Sequence, residues 1–172
     1  GILLAEKTGE ALKDVRFDLC FSSPLARARK TAELILDSQA REVPVIEDKR
    51  IQEIDFGELE GVICFNDAHE YLNPEMEKFF TDPWKFKRPK HGENIADILA
   101  RTKDFWDEKI HDPSLLDKTI LIASHGCAVR ALLQNVYQDP ENFWHGCVPP
   151  NCSVNVVEVK DGQAVLLEED KV

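Results

Sequence analysis

The sequence has no apolar run long enough to span a membrane and no visible signal peptide. Its five cysteines are scattered, odd in number and without a Cys-x-x-Cys pair. This argues against a disulfide framework or a zinc site and predicts reduced thiols in the cytoplasm. Positive charge is also scarce, because 21 Lys and Arg stand against 32 Asp and Glu, for a formal net charge of -11. That balance argues against nucleic-acid and membrane partners, and any anion site must be a local concentration of Arg, His and backbone N–H groups.

The 172 residues suit a single domain with its own hydrophobic core. Short apolar segments that read as strands alternate with segments of helical spacing, and Asp161-Gly162 separates two final strands as in a hairpin. This order predicts an α/β sandwich of mostly parallel strands with helices on both faces. The predicted strands are Asp18–Phe21, Val43–Ile46, 119–123, Ser153–Val159 and Gln163–Glu168. The predicted helices are 3–15, Leu25–Asp37, Pro74–Phe80, Glu93–Ile110 and 126–137.

The segment from Thr119 to Leu133 reads as a strand, a sharp turn and a helix, with His125 and Gly126 at the turn. The apolar run before the turn is typical of a parallel strand covered on both faces. Ligands of open α/β sheets bind at such carboxyl ends, and free N–H groups at the helix start would favour an anion. His125 could donate to a phosphate, accept a proton or bind a metal, or it could merely cap the turn.

Two further candidates are less distinctive. Arg27 lies in the first turn of a predicted helix, where the helix dipole disfavours a cation unless an anion is bound there; the alternative is an exposed side chain. Glu53 lies in a loop with several other acids, and composition alone does not distinguish it from them. Residues 62–91 read as a lid-like insertion, with a cationic and aromatic run at Trp84–Lys90, or as a solvated loop packed on the core.

Several segments resemble, in order and spacing, the histidine phosphatase superfamily, the phosphoglycerate mutase-like phosphotransfer enzymes. Phe21-Ser22-Ser23-Pro24-Leu25-Ala26-Arg27-Ala28, followed by Lys30-Thr31-Ala32, resembles the family's Ser-Ser-Pro-Leu-x-Arg-Ala segment. The loop from Glu53 to Gly61 resembles its Glu-x-x-Phe-Gly-x-x-Glu-Gly motif. The remaining matching segments are Gly92-Glu93-Asn94, Ser124-His125-Gly126 and Pro150–Val154. The resemblance covers essentially the whole chain.

The resemblance implies a three-layer α/β/α fold and a phosphomonoester phosphatase that acts through a phosphohistidine. It implies that Arg27 binds the phosphoryl oxygens and that His125 donates to them, with the helix N-terminus at Gly126 behind it. Glu53 would protonate the leaving oxygen and later activate water. The implied partner is a small phosphorylated substrate, and no metal or cofactor is required.

One departure from the family is serious, because the sequence contains no Arg-His-Gly, the segment that carries the nucleophilic histidine. The first predicted helix also lacks a capping residue before it. We therefore expect residues 1–172 to be a single domain without its N-terminal strand, and this chain alone to be inactive. The alternatives are a mutase, or a catalytically dead module that binds phosphate or a partner.

Three further expectations are less specific. The segment 62–90 is short beside the insertion of cofactor-dependent mutases, which favours a phosphatase. Cys127 lies next to a predicted helix start, where a thiolate is favoured, and is an alternative candidate for the nucleophile. The last strand leaves an edge through which a homodimer could form.

Overall fold

The computed structural model describes residues 1–172 and contains five α-helices and five β-strands. No helix in it has the length and apolar character needed to cross a lipid bilayer. In chain order the elements are α1 (Ile2–Ala11), β1 (Leu19–Ser22), α2 (Ala26–Leu36), β2 (Val45–Glu47), α3 (Pro74–Thr81), α4 (Ile95–Ile110), β3 (Ile120–Ala123), α5 (Gly126–Leu133), β4 (Val154–Lys160) and β5 (Gln163–Lys171).

The main sheet has three parallel strands, with β1 in the middle between β2 and β3. Strands β4 and β5 form a separate antiparallel pair. The turn between them is made by Asp161 and Gly162, whose φ angles of 52° and 72° are both positive, as a two-residue hairpin turn requires. The predicted α/β fold with a mostly parallel sheet is confirmed.

Alternate side chains of β1 point to opposite faces of the sheet, and each face is covered by helices. Cys20 packs with Ala32 of α2 on one face. Phe21 packs on the other face against Leu132 of α5 and Phe105 of α4, whose ring it meets edge to face at 5.5 Å. The sheet is therefore the middle of three layers.

Helix α4 confirms the clearest helix prediction, because both its capping residues and its apolar stripe are where the sequence places them. Asn94 accepts from the backbone N–H of Asp97, and the Asp97 side chain accepts from the N–H of Asn94, which completes a capping box at the helix start. The predicted apolar stripe is the packed face, and its buried members are Ile95, Ile98, Thr102 and Phe105.

Strand β3 departs from its prediction. It was expected to be covered on both faces, but Ile122 is 41% exposed and only Ala123 of the strand is buried. The expectation was wrong because β3 pairs only with β1 and lies at the edge of the three-stranded sheet. Within residues 1–172 the apolar run is therefore left uncovered at Ile122.

Helix α1 is present and, as predicted, has no side-chain cap. Its leucines do not form the packed face, since Leu3 and Leu4 are 64% and 43% exposed. The buried residues are Ala5 and Gly9. A Cβ at Gly9 would lie 3.0 Å from backbone atoms of Ile35 in α2, so the small residues allow the two helices to approach closely.

Candidate active site

The candidate site lies at the carboxyl ends of two neighbouring strands. Ser22 of β1 is in register with Ala123 of β3, so the residues that follow each strand are brought together although a hundred positions separate them in sequence. Ser23 follows β1, and His125 follows β3 as the N-cap of α5. This is the edge at which ligands of parallel sheets bind.

His125 is buried between two polar partners. Arg27 Nε donates to His125 Nδ1 at 3.1 Å, and His125 Nε2 lies 2.8 Å from Ser23 Oγ. A guanidinium has only donors, so Nδ1 must carry the lone pair and the ring proton of the neutral imidazole is on Nε2. His125 therefore donates to the Ser23 hydroxyl, which also accepts from the N–H of Leu25.

The surroundings of His125 favour the neutral imidazole. Burial, followed by the charges of Arg27 and Arg101, lowers the pKa of His125 to about 4. At neutral pH the ring is an uncharged donor and acceptor. Its one N–H group is bonded to Ser23 in this structure, so it would meet a phosphoryl oxygen only by exchanging that bond, while the positive charge of the site comes from arginine.

Arg27 is in the first turn of α2, as predicted, and its side chain is exposed. It forms no ion pair in the structure, and its one side-chain bond is the one from Nε to His125. The Nη groups, which form the planar fork that suits phosphate oxygens, have no protein acceptor. An anion bound there would also meet the positive end of the α2 dipole.

Glu53 reaches the start of α5 from the loop after β2. Its carboxylate accepts from the N–H groups of Ile54 at 3.0 Å, Ala128 at 3.1 Å and Cys127 at 3.3 Å. Burial raises the pKa of Glu53, although these three N–H groups and the charge of Arg27 oppose the rise. A carboxyl with a raised pKa near an arginine and a histidine is suited to proton transfer.

The other acids of the loop have local roles. Asp55 accepts from the N–H of Gly57, and Glu60 accepts from the N–H of Phe56. Only Glu53 turns inward to α5, and this distinction comes from a contact 74 residues away in sequence. Composition therefore had no means of separating Glu53 from its neighbours.

The start of α5 is already occupied by a carboxyl group of the protein itself. The sequence predicted that free N–H groups at this helix start would favour a bound anion, but those of Cys127 and Ala128 donate to Glu53. The N–H groups at the start of α5 therefore bind the Glu53 carboxyl group directly. A contact between the phosphoryl group and Gly126 stays a prediction. A Cβ at Gly126 would lie 3.0 Å from Val148 Cγ1, so this position is closely packed.

Cys127 is poorly suited to act as a nucleophile. Its side chain is 3% exposed, and burial, followed by the negative charge of Glu53, raises the pKa of the thiol well above its ordinary value. Cys127 would therefore remain a thiol at neutral pH. The helix N-terminus that would have favoured a thiolate is already engaged by Glu53.

The remaining histidines lie elsewhere. His145 bonds to Glu169 at 3.0 Å, and His111 bonds to the carbonyl of Asp107. His69 and His91 are loop residues with positive φ angles. The structure contains no group of three or more His, Cys, Asp or Glu arranged to hold a metal ion.

Two residues that act on His125 were not predicted from the sequence. Ser23 was part of a turn motif, and nothing local indicated that its hydroxyl would bond to His125. Arg101 lies on α4, and its charge reaches His125 across the fold. Both were ordinary residues of their own elements, so only the packing reveals them.

The segment 62–91 packs beside the loop of Glu53. Phe79 and Phe86 are buried, and Phe56 contacts Phe79 edge to face at 4.9 Å. Trp84 is 46% exposed, and Arg88 pairs with Asp97. The aromatic residues therefore belong largely to the core, and the role of this segment as a lid stays a prediction.

Comparison with known proteins identifies the family of this arrangement. The sequence model of the histidine phosphatase superfamily (branch 1) matches residues 1–170. The chain belongs to the histidine phosphatase superfamily. A 2,3-bisphosphoglycerate-dependent phosphoglycerate mutase of Methylobacterium sp. (strain 4-46) is 32% identical over 136 residues, which are 77% of this chain and 64% of that protein.

Two further matches extend the comparison. A probable 2-carboxy-D-arabinitol-1-phosphatase of Arabidopsis thaliana is 29% identical over 90% of this chain and 30% of that protein. The structure of Bacillus stearothermophilus YhfR superposes with a TM-score of 0.85 and 24% identity, over 100% of this chain and 83% of that one. The chain spans between 60% and 66% of the length of three curated phosphoglycerate mutases of this superfamily.

Proposed function

We propose that the complete protein is a phosphomonoester phosphatase that acts through a phosphohistidine. The observation that carries the proposal is the convergence of Arg27, His125 and Glu53 at the carboxyl ends of β1 and β3. The arginine without an ion pair would hold the phosphoryl oxygens. His125 would donate to them from a neutral ring by exchanging its bond to Ser23, and Glu53 would exchange protons with the leaving group and with water.

The chemistry takes two steps. A nucleophilic imidazole forms a P–N bond as the P–O bond to the leaving group breaks, and Glu53 gives its proton to the leaving oxygen. Water then attacks phosphorus, the P–N bond breaks, and Glu53 takes the proton of the water. The raised pKa of Glu53 supports the first role, because an acid must be protonated to donate. Arg27 would stabilise charge on the transferring phosphoryl group in both steps.

The nucleophilic histidine would come from an Arg-His-Gly segment outside these 172 residues. The N–H of His69 donates to the carbonyl of Asn66, His111 bonds to the carbonyl of Asp107 and His145 bonds to Glu169, and none of the three histidines bonds to Arg27. Strand β3 pairs only with β1, and Ile122 on it is 41% exposed, so a further strand could pair with its outer edge. Such a strand would end beside His125, at the same edge of the sheet.

A phosphoglycerate mutase is the second candidate, because curated relatives carry that name. We favour the phosphatase because the segment 62–91 is short and places Met76, Phe79 and Phe86 in the core. A site without a long cover admits water to the phosphohistidine, so that hydrolysis competes with transfer to a second substrate.

The remaining expectations on partners and location stay predictions. The substrate would be a small phosphate ester, since the net charge of -11 suits neither nucleic acid nor an anionic membrane. The cytoplasm would be the location, because the five cysteines are free in the structure. A homodimer could form through a free edge of the β4–β5 hairpin.

The test is a phosphorus NMR assay of the complete protein with a panel of phosphomonoesters, including 3-phosphoglycerate with and without 2,3-bisphosphoglycerate. We expect release of inorganic phosphate, and an alkali-stable phosphohistidine after rapid quenching. Interconversion of phosphoglycerates faster than phosphate release would favour the mutase. Binding of inorganic phosphate without turnover of any ester would favour the binding module and contradict the enzyme.

A further inference from the structure

Arg101 of α4 makes an unusually complete set of contacts with the loop that carries Glu53. Its Nη1 donates to the carbonyls of Arg50 at 2.9 Å and Gln52 at 2.8 Å, and its Nη2 donates to the carbonyl of Glu53 at 3.0 Å. The other two bonds go to the Glu93 carboxylate, from Nε at 2.7 Å and from Nη2 at 2.8 Å. All five N–H groups of the guanidinium are thus used.

This saturation separates Arg101 from Arg27. An arginine whose five donors already have protein acceptors has none left for a phosphoryl oxygen, whereas the Nη groups of Arg27 have no protein acceptor. Arg101 is also only 20% exposed. Its contacts therefore serve the loop, and a direct role in binding the substrate is excluded by its geometry.

Glu93 extends the same contact to the next residue of the loop. Glu93 Oε2 accepts from the N–H of Asp55 at 3.0 Å, and the N–H of Glu93 donates to the carbonyl of Asp55 at 2.7 Å. Burial opposes the ionised form of Glu93, but the bonds from Arg101 and Asp55 outweigh it and hold its pKa below the ordinary value. Glu93 is thus a carboxylate that links Arg101 to the loop.

The loop has no helical or strand hydrogen bonds of its own, so side-chain contacts such as these hold its backbone. Residues 52–56 lie between two short 3-10 turns and belong to no helix or strand. The second turn begins at Gly57, where φ is +52° and a Cβ would lie 2.2 Å from the carbonyl oxygen of Lys90. The loop that carries Glu53 and the loop that contains Lys90 are therefore in direct backbone contact. Arg101 and Glu93 lie where these two loops meet.

We infer that Arg101 and Glu93 are positioning residues for Glu53, holding its backbone so that its carboxylate reaches the start of α5 and the leaving group. The inference rests on the proposed function, in which Glu53 is the acid. Proton transfer requires hydrogen-bond geometry, and a shift of about 1 Å in a catalytic group can cost about 100-fold in rate. Loss of the Arg101 contacts should therefore weaken the acid more than it weakens the fold.

The experiment compares two esters with different needs for an acid, using the complete protein. A nitrophenolate leaves without protonation, whereas the alkoxide of glycerol phosphate needs a proton from Glu53. The quantity measured is kcat/KM, because it covers the steps up to departure of the leaving group and is independent of later hydrolysis. A role in stability alone would lower both values equally through the folded fraction.

We expect Glu53→Gln to lower kcat/KM for glycerol phosphate by about 100-fold or more and to affect nitrophenyl phosphate much less. Glu93→Gln and Arg101→Met should reproduce this selective loss, at about 10-fold for the alkyl ester. Glu93→Gln is isosteric, so it carries the test if Arg101→Met does not fold. Arg50→Met is the matched control, because Arg50 pairs with Asp48, Asp104 and Glu108 through its side chain.

The outcomes separate the inference from the function beneath it. Equal losses for the two esters in Glu93→Gln and Arg101→Met, beside a selective loss in Glu53→Gln, would overturn the inference alone. An equally selective loss in Arg50→Met would also overturn it, because any weakening of the loop would then suffice. If the unmodified protein hydrolyses neither ester, or Glu53→Gln treats both alike, the proposed function fails and the inference with it.

Discussion

Helix α5 has an arginine, a histidine and a carboxylate beside its N-terminal end and a second such group beside its later turns. In the first group, Arg27 is exposed, forms no ion pair and touches His125. In the second, Arg130 is fully buried and bonds to both Glu169 at 3.1 Å and Asp170 at 2.6 Å. The residue types are the same, but the second arginine has two carboxylate partners and the first has none.

The second group is complete within itself. Arg130 also donates to the carbonyl of Cys147 at 2.8 Å and to the hydroxyl of Tyr137 at 2.8 Å. The ring of Tyr137 stacks on His145 at 3.7 Å between centroids, and His145 bonds to Glu169. Every partner of the cation is supplied by the protein, which ties α5 to the end of β5.

The two groups show how a binding site differs from a structural cluster of the same composition. A buried arginine that the protein neutralises holds elements together, and removing it leaves its partners unpaired. An arginine left without a carboxylate contributes little to folding but can bind an anion from outside. Binding sites of this kind often lower the free energy of unfolding, and packing elsewhere in the fold compensates for that loss.

The largest effect is expected for Arg130→Met in the complete protein. We expect the free energy of unfolding to fall by about 3 to 5 kcal/mol, because two partly buried carboxylates lose their cation. Arg27→Met should change it by about 0.5 kcal/mol or less, since an exposed arginine without an ion pair is removed. Urea unfolding monitored by circular dichroism measures both, and equal losses would contradict the comparison.

The next effect is the pH dependence of stability caused by His125. Its pKa is about 4 when folded and near the ordinary value of 6.5 when unfolded. Between these values only the unfolded chain binds the proton, so this contribution is full above pH 6.5 and is lost as the pH falls to 4. The expected loss is on the order of 3 kcal/mol, at about 1.36 kcal/mol per pKa unit.

Urea unfolding at pH 7.5 and pH 4.5 measures this loss in the complete protein. His125→Gln should remove the corresponding part of the pH dependence. His145→Gln should retain it, because that ring lies beside Glu169, away from Arg27. The assignment to His125 would be wrong if the two variants had the same pH profile.

A third effect concerns the binding of inorganic phosphate. Arg27→Met should weaken binding by about 10- to 100-fold, since a charge-assisted hydrogen bond contributes about 1.5 to 3 kcal/mol. Arg29→Met is the control, because Arg29 lies on the same helix but pairs with Glu33 and Glu47. Titration calorimetry of the complete protein measures both affinities. A similar loss in Arg29→Met would mean that only the overall electrostatic field had changed and would contradict direct binding by Arg27.

The smallest effect is expected for Ser23→Ala, which removes the acceptor of the His125 Nε2–H. We expect a loss of about 1 to 2 kcal/mol in the free energy of unfolding, because a buried donor is left without a partner. The nitrogen NMR shifts of the His125 ring should also change. Ser22→Ala is the control, since its hydroxyl is equally buried but donates to the carbonyl of Ser23. Unchanged ring shifts in Ser23→Ala would contradict the assigned hydrogen bond.

Local patterns located most of the elements and two of the candidate residues. Helix α4 has a capping box and an apolar stripe, and the hairpin has Asp161-Gly162, so both could be read from neighbours in sequence. Arg27 and His125 lie where strand-to-helix turns place them. The exposure of side chains could not be predicted from neighbours in sequence, as the edge position of β3 and the exposed Ile122 show.

The order of strands and helices, the turns between them and the family motifs could be read from the amino-acid sequence. These depend on residues within a few positions of one another, whose spacing and backbone preferences act locally. The family motif marked Glu53 as the acid, but the tertiary structure was needed to show that Glu53 turns inward, whereas Asp55 bonds within its own loop, and that Glu53 takes the N–H groups of α5. The tertiary structure alone brought Arg101 to the carbonyl of Glu53, 48 residues away, because such contacts arise from packing rather than from periodicity.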